Sequence, residues 1–174
     1  QILRLKCKET GQEFIFTNKH LLFNQAQGDI KIGRLAMLIA YIDEKLTKSR
    51  RPVIISDDLN IEPLSYVYTY INDSSCRCEA ALRITGQGLC GGPYVEAENI
   101  LPLIANIGRD SMFISKEANR QAVSADHFTH PLRLTSVYHH FTTNGEKEVS
   151  KYHKEVANPD FIFYSVKKKM KIYS

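Results

Sequence analysis

The chain has 174 residues, 43% of them apolar and 24% charged, with a net charge of +4. This is ordinary composition for one globular domain, and the mild positive charge allows a polyanionic partner without demanding one. No run of 18 apolar residues and no signal-peptide pattern stands in the sequence, so the reading is a soluble chain, cytoplasmic or nuclear, with no membrane partner.

Cys7, Cys76, Cys78 and Cys90 include a Cys-x-Cys but no Cys-x-x-Cys, and no His pair stands beside them at zinc-ligand spacing. Free thiols in a reducing compartment are expected. In chain order, Phe14-Ile15-Phe16 reads as a strand that runs into Asn18-Lys19-His20-Leu21-Leu22-Phe23. After Gly28, residues Ile32, Leu35, Ala36, Ile39, Ile42 and Leu46 recur at helical spacing. That predicts an amphipathic helix from Asp29 to about Lys48, packed on a sheet and N-capped by Asp29. Val53-Ile54-Ile55, entered through Pro52, is a buried strand, and Pro63 stops extension so that Leu64 to Ile71 start a second helix. Residues 72–92 read as a long loop, Leu132 to Tyr138 as a strand or a short helix, and Phe161 to Tyr164 as an aromatic strand. Strand, helix, strand implies a layered α/β domain with no second domain.

The chemistry concentrates at the end of the second strand. Asp58 and Asn60 are two residues apart just past Ile55, so in extended backbone their side chains point to one side. A carboxylate there can orient or deprotonate an attacking water, while a neutral amide can hold a phosphate oxygen without adding negative charge. The plainer reading is an Asp/Asn turn that caps the following helix. Lys167-Lys168-Lys169-x-Lys171 reads as a solvated charged turn before it reads as a phosphate patch, and His139, His140 and His153 lack a metal-binding spacing.

Three ordered stretches resemble the endonuclease/exonuclease/phosphatase superfamily, in its deadenylase-like branch with the Angel proteins. They are Asn18 to Asn24 with Gly28-Asp29-Ile30-Lys31, then Pro52 to Tyr70, then Asp160-Phe161-Ile162-Phe163-Tyr164-Ser165. The family patterns are Asn-Thr-His-Leu-Leu-x-Asn-Pro, Ser-Gly-Asp-x-Asn-x-x-Pro-x-Ser and Val-Asp-Tyr-Ile-Phe-Tyr-Ser. Leu134-Thr-Ser-Val-Tyr-His-His-Phe is similar to the Angel branch in particular.

The resemblance implies a two-sheet β-sandwich flanked by helices (DNase I-like), incomplete at both ends, with residues 1–174 forming the C-terminal portion of a single such domain. It further implies magnesium-dependent (or manganese-dependent) hydrolysis of RNA phosphoester bonds. The activity would be a 3′–5′ poly(A)-type exoribonuclease or an RNA 3′-end phosphatase acting on a single-stranded 3′ end. Asp58 would handle the nucleophilic water and touch the metal, Asn60 would contact phosphate, His20 would line the cleft and Asp160 would orient a catalytic histidine. Asn18 and Asn24 would meet substrate. The main metal-binding Glu would precede Gln1, and the closing Ser-Asp-His motif would follow Ser174, which predicts an active parent and an inactive segment. Ser124-Ala125-Asp126-His127 mimics that motif out of order, and Glu62, Glu96, Glu98 and Glu117 lack a supporting spacing. Asp57 for Gly, Lys19 for Thr and Gln25 for Pro depart from the pattern, and they motivate the rival reading of a degenerate RNA-binding or scaffolding module. A phospholipid or inositol phosphate substrate would call for membrane-directed apolar loops, and the sequence has none.

Overall fold

The computed structural model describes residues 1–24, 27–46, 51–63, 65–77, 100–114, 127–146, 148–149, 151–153, 155–157 and 159–166. The expectations for Lys167 to Lys171, Cys78, Cys90, Gln25, Glu96, Glu98, Glu117 and the Ser124 to Asp126 stretch lie outside these residues.

A five-stranded sheet organises the chain. Its strands are β1 (Ile2–Lys6), β2 (Glu13–Thr17), β3 (Val53–Asp58), β6 (Leu134–Ser136) and β9 (Asp160–Ser165), in the order β1-β2-β3-β9-β6. Only the β2–β3 pair is parallel, because α1 (Gly28–Leu46) carries the chain back between them. α2 (Tyr66–Asp73) follows β3. Two small ribbons accompany the sheet, β4 (Ser75–Arg77) with β5 (His127–Thr129) and β7 (Lys151–His153) with β8 (Glu155–Ala157). Glu13 accepts from Arg4 and Arg51, each at 2.7 Å, which ties β1, β2 and the approach to β3 together.

Period-two alternation decides which sheet face is covered. Ile15, Thr17, Val53, Ile55, Phe161 and Phe163 face the helices and are buried. The helical stripe read from the sequence packs there, with Ile32, Leu35, Ala36, Ile39 and Ile42 buried and Leu46 packed against the cluster. Gly33 lets α1 approach residue 100 closely, since a Cβ there would lie 2.8 Å from the Ile100 carbonyl oxygen. Leu3, Leu5, Phe14, Phe16, Ile54, Ile162 and Tyr164 project from the other face, which stays half-buried or exposed. An apolar open face of this kind is what a two-sheet sandwich covers with its second sheet.

Several local expectations need correction. Asp29 is not the N-cap, because α1 already begins at Gly28, and the Lys31 N–H donates to the Gln27 carbonyl at 3.1 Å. Asp29 instead places a charge in the first turn, where it complements the helix dipole. β3 does not stop at Ile55 but runs through Asp57 and Asp58, since both pair with β9. The cap of α2 is Ser65, whose Oγ accepts from the Tyr68 N–H at 3.2 Å. Residues 134–136 are a strand because β9 offers them an edge, and residues 75–77, read as loop, pair with β5. β1 is a strand beyond those expected, its apolar residues interrupted by Arg4 and Lys6.

Candidate active site

Asp58 ends β3 and sits directly opposite Asp160, the first residue of β9. Cross-strand partners in an antiparallel pair share a face, so two carboxylates stand side by side at the rim of the open sheet face. Two acids on one face can share a divalent cation. His20 lies at the same end in the loop that follows β2, exposed, one residue before Leu21. Asn18 immediately follows β2 and is also exposed, with its backbone engaged by Gln1. Asn24 sits further along that loop, exposed, its carbonyl accepting from the Gln27 N–H at 3.4 Å.

The turn after Asp58 is tied from several sides. The Asn60 N–H donates to Asp58 Oδ1 at 2.9 Å, an Asx turn, and Asn60 adopts left-handed backbone with φ 48°. The extended backbone on which the expected same-side projection of Asp58 and Asn60 rested therefore ends before Asn60. The plainer sequence reading, an Asp/Asn turn, is correct as local geometry, although Ser65 takes the helix cap. Asn60 is buried, and its Nδ2 donates to the Leu21 carbonyl at 3.0 Å. The Leu21 N–H donates to the Asp58 carbonyl at 3.3 Å, and the Leu59 N–H donates to the Pro159 carbonyl at 2.9 Å. The loop after β2 and the approach to β9 are thus locked onto one turn.

Beneath that turn lies Lys31, whose side chain is fully buried and whose Nζ donates to the Asn60 carbonyl at 2.5 Å. Burial lowers its pKa to about 8, while the nearby Asp58 charge pulls it upward. Asp57 replaces the glycine of the family pattern and turns to the covered face. Its Oδ1 accepts from the Asp58 N–H at 2.7 Å, but its Oδ2 is buried without a hydrogen-bond partner.

Aromatic packing supports the β9 side. Tyr68 of α2 meets Phe161 and Phe163 at centroid distances of 5.7 and 5.5 Å. Its Oη shares a 2.8 Å hydrogen bond with Nε2 of His140, a buried residue with φ 66°. Burial raises the Tyr68 pKa and lowers that of His140. Nearby, the Tyr70 hydroxyl donates at 2.5 Å to Ser111 Oγ, which donates in turn to the Thr129 carbonyl at 2.7 Å. Neither Lys31 nor the Tyr68–His140 pair emerged from the sequence as a site element. Lys31 had a visible signal, since it falls on the same helical stripe as Leu35, Leu38 and Ile42.

Among the described residues, no three His, Cys, Asp or Glu side chains gather into a metal-binding set. The Asp58–Asp160 pair nevertheless fits part of a magnesium site. That ion is ordinarily held by one or two carboxylates, with waters and substrate phosphates completing its shell.

The order of strands and the helix layer on one face match the endonuclease/exonuclease/phosphatase (DNase I-like) fold, which the chain shares with solved structures of that superfamily. Within its deadenylase-like branch the chain is similar to the Angel homologs. Protein angel homolog 2 of Mus musculus is 30% identical over 181 residues, covering 87% of this chain and 33% of that protein. The Danio rerio homolog 2 is 30% identical over 166 residues, covering 85% of this chain and 29% of its own length. The chain thus spans about a third of the curated relatives it matches. The crystal structure of ANGEL2, a 2′,3′-cyclic phosphatase, in complex with adenosine-2′,3′-vanadate, superposes with a TM-score of 0.79 at 28% identity. It covers 94% of this chain and 48% of that one. The human Nocturnin catalytic domain with bound sulfate shares the fold at 18% identity, with a TM-score of 0.50 and coverage of 93% of this chain and 39% of that one. No protein-family model matches the chain.

Proposed function

We propose that the chain is the C-terminal part of a metal-dependent hydrolase of RNA phosphoester bonds, and that the Asp58–Asp160 end of the sheet is its half of the active site. The observation that carries this reading is the pairing of Asp58 with Asp160 beside the His20 loop, in a fold that superposes on ANGEL2 along nearly the whole chain. Asp58 Oδ1 is committed to the Asn60 N–H, which aims the carboxylate and leaves Oδ2 to accept a proton from, or orient, an attacking water. An Asn side-chain amide carries two protons. One of those on Asn60 Nδ2 goes to Leu21, and the other is available to a phosphate oxygen. His20 is exposed at the same rim and can donate to substrate there. Magnesium, held by these carboxylates together with a Glu supplied from elsewhere in the full-length protein, would polarise the phosphoryl oxygens and make bound water more acidic.

Among RNA ends, a terminal 2′,3′-cyclic phosphate is favoured over a poly(A) 3′ hydroxyl, because the similar ANGEL2 is a 2′,3′-cyclic phosphatase solved in complex with adenosine-2′,3′-vanadate. The experiment is a competition by the full-length protein in magnesium between an oligoadenylate ending in a 2′,3′-cyclic phosphate and one ending in a 3′ hydroxyl. Opening of the cyclic phosphate with the chain length unchanged supports the phosphatase; stepwise shortening of the hydroxyl-ended strand supports the exonuclease.

One observation favours a second reading. The buried, unpartnered Oδ2 of Asp57 adds a carboxylate beside the site where the family pattern has none. A chain that binds both oligonucleotides and hydrolyses neither would be a degenerate RNA-binding module of the same fold.

A further inference from the structure

Lys31 is a buried lysine at the foot of the Asp58-x-Asn60 turn, and it closes the Gly28-Asp29-Ile30-Lys31 stretch that carries part of the family resemblance without an assigned role. It belongs to the first turns of α1, its side chain is 0% exposed, and its neighbours along the stripe, Ile32 and Leu35, are core residues. Burying a charge is costly unless it is hydrogen-bonded and offset by opposite charge. Lys31 meets both conditions at one place, the Asn60 carbonyl 2.5 Å away and the Asp58 carboxylate nearby.

That carbonyl is a sensitive point to hold. Asn60 is in left-handed backbone, which a non-glycine residue adopts at a cost and keeps only when its surroundings fix it. The Asx bond from Asn60 N–H to Asp58 Oδ1 holds one side of the residue, and the Lys31 bond holds the other. Releasing the Asn60 carbonyl would let the peptide after it rotate, and the Asp58 carboxylate and the Asn60 amide would lose their fixed separation. A cation near Asp58 also offsets the negative field of that carboxylate where a phosphate anion must approach.

We infer that Lys31 is a positioning residue of this phosphoester site, clamping the Asp58-x-Asn60 turn from beneath through the Asn60 carbonyl. The inference rests on the hydrolase reading for its catalytic consequence, but its structural half stands separately.

The test is Lys31→Met in the full-length protein, with three readouts. Hydrogen exchange at the Leu21, Leu59 and Asn60 amides, which the turn protects, should accelerate by roughly tenfold or more. Thermal melting should fall, since removing one partner of a buried polar contact leaves the Asn60 carbonyl unsatisfied and the Asp58 charge uncompensated. On the cyclic-phosphate oligoadenylate, kcat should fall by about tenfold or more with KM within about threefold, because geometry in the transition state is lost while substrate binding is kept. Wild-type exchange at Leu59 and Asn60 in the variant would overturn the clamp, and so would a kcat within about twofold of an active wild type. If the wild type hydrolyses nothing, the hydrolase reading fails, and the exchange result alone still decides whether Lys31 holds the turn.

Discussion

His130 makes the folded state acid-sensitive in a way that can be worked through from its surroundings. The residue is buried between β5 and β6, and its Nε2 donates to the Tyr70 carbonyl at 2.8 Å. A carbonyl only accepts, so the neutral ring carries its proton on Nε2. Nδ1 is then the atom that must bind a second proton, and it is buried without a hydrogen-bond partner. Burial accordingly lowers the pKa from 6.5 to about 4, against the smaller upward pull of the backbone at Tyr70, Ile71 and Leu132. With the folded value depressed, the unfolded chain binds the proton first as pH falls. The stability contributed by the neutral ring is fully present above pH 6.5 and is lost progressively as pH falls from there toward about 4. Linkage between these two values makes the loss at pH 4.5, relative to pH 8, about 2 to 3 kcal/mol, a large fraction of typical domain stability. Urea unfolding followed by circular dichroism at both pH values, for wild type and His130→Gln, measures this. The variant will be less stable at pH 8, where it leaves hydrogen bonds imperfect, but it should lose about 2 kcal/mol less than wild type on acidification. Equal losses in the two proteins would show that the ring is already protonated in the fold, or is not buried as described, and would refute the reasoning.

Two further substitutions probe the packing and the departure from the family pattern. Gly33→Ala should destabilise by about 1–3 kcal/mol, because its Cβ would press on backbone rather than on a flexible side chain, and a urea midpoint equal to wild type would contradict the close approach to Ile100. Asp57→Gly relieves a buried unpartnered oxygen, worth about 1–3 kcal/mol, but gives up the Oδ1 bond from the Asp58 N–H, about 0.5–1.5 kcal/mol, and introduces a strand glycine costing roughly 0.5–1 kcal/mol, so stability should stay within about 1 kcal/mol of wild type; a loss of about 3 kcal/mol or more would mean that Asp57 Oδ2 has a partner.

The parts of the fold legible in the sequence are those set by local periodicity. α1 follows from Ile32, Leu35, Ala36, Ile39 and Ile42, and β2 and the start of β3 follow from short apolar β-branched and aromatic runs. What depended on distant partners was not legible. β3 extends through two acids because β9, a hundred residues on, pairs with them, and the alternative helix at residues 134–136 was settled by the edge that β9 provides. β1 went unread because Arg4 and Lys6 interrupt its apolar residues, as suits an edge strand. In the site, the Asp58 and Asp160 motifs were visible as an ordered set, and the structure sets them opposite each other. The Asn60 conformation was misjudged as extended, although Asn is among the residues that most readily take positive φ. Lys31 was hidden in plain view, a charged residue on an apolar stripe whose reason for burial lies on another element.

The most direct test of the central claim is magnesium-dependent hydrolysis of an oligoadenylate ending in a 2′,3′-cyclic phosphate by the full-length protein, beside Asp58→Ala. Turnover is expected from the wild type and a loss of at least about a hundredfold in kcat from the variant, the usual scale for removing a positioned acid–base group, with the fold retained by circular dichroism. Equal turnover by the two proteins would remove Asp58 from the chemistry and contradict the account.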